Sequence, residues 1–112
     1  FENMVVAEMF KQYYHQGKRP KLSFYRDSTG NEVDLVLERG EDLILMEIKS
    51  GETVNKQYFQ GLNRFSNVAG DRIKGGMVVY AGTQKQIRSD WETWPVTNLG
   101  ELSKRIFNIF AD

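Results

Sequence analysis

The sequence predicts an α/β domain with the element order αβββαβ, a mixed sheet covered by helices on both faces. Three observations carry this expectation: two adjacent strand-like runs apolar on nearly every residue, helix-period apolar stripes before and after them, and a further apolar run reached through the second helix. Strands of that kind need cover on both sides.

Residues 1–16 read as a helix that Gly17 closes and Pro20 keeps closed. Residues 22–27 read as a strand, with Ser28-Thr29-Gly30-Asn31 as a hairpin turn. The two central runs follow, Glu32-Val33-Asp34-Leu35-Val36-Leu37-Glu38 and Leu43-Ile44-Leu45-Met46-Glu47-Ile48-Lys49, joined by a turn at Arg39-Gly40-Glu41-Asp42. Helix returns over residues 54–68, with Val54, Tyr58, Leu62, Phe65 and Ala69 on one stripe, and residues 76–81 form the next strand. Strand, helix, strand in that order favours a right-handed crossover and parallel pairing. Residues 82–90 read as a polar loop and Trp94-Pro95-Val96-Thr97 as a short edge strand, where proline is acceptable. Asn98 with Glu101 signals a last helix, whose packing stripe is Leu99, Leu102, Ile106, Ile109 and Phe110.

The central hairpin carries the chemistry. Alternation puts Leu43, Leu45, Glu47 and Lys49 on one face and Ile44, Met46 and Ile48 on the other. A turn centred on Gly40 and Glu41 sets Asp34 opposite Glu47, with Cβ atoms roughly 4.5–5.5 Å apart. Two carboxylates side by side near an apolar core repel and are poorly solvated, so a hard oxygen-seeking cation such as Mg²⁺ is the expected compensation, with Lys49 as a neighbouring positive charge. The alternative is a solvated Glu47–Lys49 pair at an open sheet end.

Asp34 followed thirteen positions later by Glu47-Ile48-Lys49 resembles the PD-(D/E)xK nuclease superfamily, which includes restriction endonucleases and Holliday junction resolvases. Together with Phe1-Glu2-Asn3, Phe24-Tyr25-Arg26 and Glu32-Val33-Asp34, the motif looks like the nuclease-like domain at the C-terminal end of many prokaryotic AAA-type ATPases. About two-thirds of the chain is covered by the resemblance; Val33 stands where the motif's name has proline.

The resemblance implies a restriction-endonuclease-like fold and metal-dependent hydrolysis of DNA. Asp34, Glu47 and the main-chain carbonyl of Ile48 would hold Mg²⁺ or Mn²⁺, and Lys49 would orient the attacking water or stabilise the transition-state charge. It also implies an acid from the first helix. Helical projection places Glu2 in the stripe of Val6, Met9 and Tyr13 and Glu8 on the polar side with Lys11, Gln12 and His15, so Glu2 is ranked before Glu8. Arg26 and Lys56 are the expected phosphate contacts, and Gln57 and Gln60 the polar residues on the helix after the motif strand. An attached ATPase domain is the implied partner. The competing reading is a non-catalytic module that docks DNA or regulates that ATPase.

Composition sets the bounds. The 112 residues, 40% hydrophobic and 12% aromatic, suffice for one domain spanning residues 1–112. A start at Phe1, directly in a helical pattern, suggests a piece of a longer chain. Without cysteine there are no disulfides or thiolate metal sites, and without a long apolar stretch there is no membrane span or signal segment; a cytoplasmic location is expected. Fifteen Lys plus Arg balance fifteen Asp plus Glu, so DNA binding by this domain alone should be weak. The basic candidates are the Lys18–Lys21 cluster, Arg64, Arg72 and Lys74. His15 reads as surface, Trp91 and Trp94 as packing residues, and Gly75-Gly76 lacks the pattern of a nucleotide-binding loop.

Overall fold

The computed structural model describes residues 1–15, 21–26, 32–88 and 91–111; side chains of residues 13–15, 87 and 88 are outside that description. Helix α1 spans Glu2–His15, strand β1 Lys21–Arg26, β2 Glu32–Arg39 and β3 Asp42–Lys49. A 3₁₀ turn, Lys56–Phe59, leads into α2, Gln60–Ala69; β4 is Ile73–Tyr80, β5 Gln86–Arg88, β6 Trp91–Pro95 and α3 Leu99–Ala111. The strands form one mixed sheet in the order β1-β2-β3-β4-β6-β5. The expected Gly17 and Pro20 stop signals, the cluster at residues 18–20 and the turn at residues 28–31 lie outside the described residues.

The β2–β3 hairpin has the expected register: Leu35 faces Met46, Leu37 faces Ile44, and Arg39 faces Asp42. Gly40 closes the turn at φ 63°, a left-handed conformation that costs glycine little. β3 and β4 run parallel, as the intervening helix requires, with Glu47 beside Val78 and Lys49 beside Tyr80. The order of the pairing partners along β1 and β2 is irregular. From Ser23 to Tyr25 β1 advances two residues while β2 advances three, from Val36 to Val33, so β2 bulges at Asp34-Leu35.

The alternation of the central strands divides the core in two. Leu35, Leu37, Ile44, Met46 and Ile48 pack against Val5 and Met9 of α1 and Leu102, Ile106 and Phe110 of α3. Val36, Leu43, Leu45 and Val78 pack on the other side against Phe59 and Leu62, with Val54, Tyr58, Phe65 and Ala69 at the margin. The predicted stripe of the second helix therefore faces the sheet, although its first turn is 3₁₀ and begins only after Asn55, whose side chain accepts the Gln57 N–H. The other departure lies at the far edge. β6 is an inner strand, because Gln86–Arg88, within the segment expected to be loop, adds β5 outside it. Pro95 stays compatible because it ends β6, next to Tyr80.

Leu62 is fully buried at the centre of the α2–sheet contact, whereas Val68 on the same helix is 72% exposed. Leu62→Ala is expected to lower the free energy of unfolding in urea by about 2–5 kcal/mol. Val68→Ala is expected to change it by less than about 0.5 kcal/mol; equal effects would contradict this placement of α2.

Candidate carboxylate site

The ladder between β2 and β3 gives way beyond Leu35 and Met46, where the next rung would pair Asp34 with Glu47. Side chains replace it. The Ile48 N–H donates to Asp34 Oδ2 at 2.8 Å, and the Asp34 N–H donates to Glu47 Oε1 at 3.2 Å. Glu47 thus occupies the main-chain donor of Asp34, and Asp34 that of Ile48, the residue after Glu47. The β2 bulge explains how: an extra residue at Asp34-Leu35 re-aims Asp34 out of the regular pleat.

Glu47 is only 4% exposed. Its second oxygen meets Lys49 Nζ at 3.2 Å, and the Lys49 side chain is one-third exposed. The α2 helix completes the enclosure through Gly61: a Cβ there would lie 2.6 Å from the Glu32 carbonyl oxygen and 3.2 Å from Glu47 Oε1. Only a residue without a side chain lets the helix approach this closely. Tyr58, one turn earlier, has its ring centroid 6.0 Å from Lys49 Nζ.

Burial and then the adjacent Asp34 push the Glu47 carboxyl up from 4.5 to about 7, against the opposing pull of Lys49 and the hydrogen bonds from Lys49 and the Asp34 N–H. The lysine therefore offsets only part of the cost of burying this acid. Among the described residues Asp34 Oδ1 accepts no hydrogen bond, and Asp34 borders a cavity of about 280 Å³. Glu2, Phe24, Tyr25, Arg26, Glu32 and Val33 complete the lining.

The other expected site residues fall as follows. Glu2 is exposed and not core-facing, because Val5 and Met9 take the buried positions of α1; it nonetheless reaches the cavity that Asp34 borders. Glu8 is half-buried and accepts from Gln12 Nε2 at 3.3 Å, away from this cavity. Among the described residues no three His, Cys, Asp or Glu side chains converge, so Glu2 does not join Asp34 and Glu47 in one cluster. Arg26 lines the cavity but holds Glu32 Oε2 at 3.0 Å. That pair is largely exposed and worth about 0–1 kcal/mol. Lys56, Gln57 and Gln60 are exposed at the approach to α2 and do not line the cavity. Trp91 and Trp94 are buried, the first donating to Asn63 Oδ1 at 2.7 Å, as packing residues should. Arg72 holds Glu38, and Lys21 reaches the same carboxylate at 3.8 Å.

Glu32 and Gly61 are parts of the site that the sequence did not single out. Glu32 had a signal in its position two residues before Asp34; Gly61 had none, because only the docking of α2 reveals the contact.

The family model for a domain of unknown function, DUF4143, matches residues 1–99. The chain belongs to the DUF4143 family. The DUF4143 match takes in the sheet, α1 and α2, hence Asp34, Glu47, Lys49 and every residue of the cavity, and stops at the first residue of α3. DUF4143 domains are commonly found with AAA ATPases. No curated protein matches the sequence. Among the described residues no helix is long and apolar enough to cross a membrane.

The raised Glu47 carboxyl has a consequence for stability. The folded state holds this proton more tightly than the unfolded chain, so the contribution is fully present below about pH 4.5 and is lost as the pH rises through about 7. Its full size is on the order of 3 kcal/mol. Urea unfolding measured from pH 4 to pH 8 is expected to show that decline in the natural sequence and a flatter profile in Glu47→Gln; identical slopes would contradict the burial of an ionisable Glu47.

Proposed function

We propose that this DUF4143 domain is a divalent-cation-dependent nuclease that hydrolyses DNA phosphodiester bonds, on the restriction-endonuclease-like plan that its strand motif resembles. One observation carries the reading: Asp34 and Glu47 interlock at the parting of β2 and β3, with Lys49 3.2 Å from Glu47. Two acids and one lysine leave negative charge uncompensated in a poorly solvated place, which favours a cation. Mg²⁺ commonly takes one or two carboxylates, several waters and substrate oxygens instead of a full protein cage, so this donor set fits it without a third acid.

Asp34, Glu47 and the Ile48 carbonyl would hold Mg²⁺ or Mn²⁺, with Glu2 across the cavity as a supporting acid. When bound, the ion supplies positive charge to the phosphate and lowers the pKa of a water. Asp34 offers Oδ1 for this, since Oδ2 is committed to the Ile48 N–H. Lys49 would orient the attacking water and stabilise the charge that gathers on the phosphoryl oxygens. Arg26 would exchange the exposed Glu32 carboxylate for a neighbouring phosphate. A formal charge of zero gives the domain little general hold on DNA, and the company that DUF4143 domains keep supports delivery by a tethered ATPase.

A second reading, a non-catalytic module that docks DNA or regulates the ATPase, is favoured by the engagement of Arg26, Arg72 and Lys49 with carboxylates. Cleavage of linear and branched DNA in Mg²⁺ or Mn²⁺ tests the first. Lys49→Ala and Asp34→Ala are each expected to reduce cutting at least about 100-fold, and equal cutting by both variants and the natural sequence would assign the activity to a contaminant. In calorimetric titration with Mn²⁺, heat that disappears in Glu47→Gln supports the nuclease, and heat no greater than in that variant supports the docking module.

A further inference from the structure

We propose that Phe24 is a stacking platform for an unpaired nucleobase, so that the substrate is single-stranded or splayed DNA instead of regular duplex; this rests on the reading of Asp34 and Glu47 as the hydrolytic centre. Phe24 is 70% exposed on β1, which ends the sheet beyond β2. A single exposed aromatic is ordinary on a protein surface. This one is set apart by its neighbours, since it shares one cavity with Arg26 and with Asp34, whose Oδ1 accepts no hydrogen bond among the described residues.

The strand geometry sorts the aromatic side chains. Tyr25 turns to the α2 side, where its ring meets Phe65 edge-on at 4.5 Å between centroids. Phe24 and Arg26 take the opposite side of the strand and stand about 7 Å apart along it, a separation that suits the base and the phosphate of one nucleotide. The ring offers a π-face that any base can stack on, and the guanidinium, by exchanging Glu32 for the phosphate, offers a charged fork. The cavity, at about 280 Å³, is close to the smallest small-ligand pockets, about 300 Å³. In duplex DNA the bases are already stacked on each other, so Phe24 gains a partner only where a strand is single or opened.

Fluorescence anisotropy with the full chain in Ca²⁺, using a labelled oligothymidine of about 12 nucleotides and a blunt duplex of equal length, tests the proposal. The natural sequence is expected to favour the single strand. Phe24→Ala, at an exposed position that leaves the fold intact, is expected to weaken single-strand binding about tenfold and duplex binding little, and Phe24→Trp to restore it. Equal affinity for both forms, an unchanged single-strand affinity in Phe24→Ala, or binding of neither form would overturn the proposal. Failure of the hydrolytic reading is separately visible: a single-strand preference that depends on Phe24, in a protein that cuts no DNA, sustains the stacking platform and rejects the nuclease. Cutting that depends on Lys49, without any effect of Phe24, does the reverse.

Discussion

The two hydrogen bonds that cross between Asp34 and the Glu47-Ile48 segment are the constraint on which the site depends. They brace the sheet where its central hairpin opens. A regular ladder would hold the strands together there but leave the acids projecting from the pleat. The bulge in β2 exchanges that rung for side-chain bonds, so the acids are part of the fold's own hydrogen bonding and are positioned by it. Glu47 is held from three sides, by the Asp34 N–H, by Lys49 and by the close approach of Gly61.

The layers around the hairpin then set the electrostatics. β3 lies between β2 and β4, and the cores on its two faces exclude water from Glu47 while its strand end leaves Lys49 partly open. Desolvation is the largest influence on Glu47, and the nearby Asp34 adds to it. A lysine at 3.2 Å does not bring the carboxyl back to its ordinary range. A buried acid left in this state is costly to stability at neutral pH.

Much of this was legible in the residues. The symmetric turn at Gly40 determines the pairing, and alternation determines which residues of β3 face α2, so the neighbourhood of Asp34 and Glu47 follows from counting, whereas the β2 bulge that replaces their rung by side-chain bonds does not. What escaped has physical causes. Gln86–Arg88 is too short and polar to show a strand period, and it becomes a strand by pairing with β6. Glu2 lies on the projected stripe of Val6 and Met9, but the buried positions of α1 are taken by Val5 and Met9, so the residue is exposed. The Arg26–Glu32 pair and the Gly61 contact join separate elements, and no local pattern announces them.

The most direct measurement is the titration of the Glu47 side-chain carboxyl followed by ¹³C NMR, in the natural sequence and in Asp34→Asn. A midpoint near 7, moving downward when the charge at position 34 is removed, is the result required by a buried acid coupled to its neighbour. A midpoint in the ordinary range near 4.5, unmoved by Asp34→Asn, would mean that the two carboxylates are solvated and independent, and the site described above would not exist.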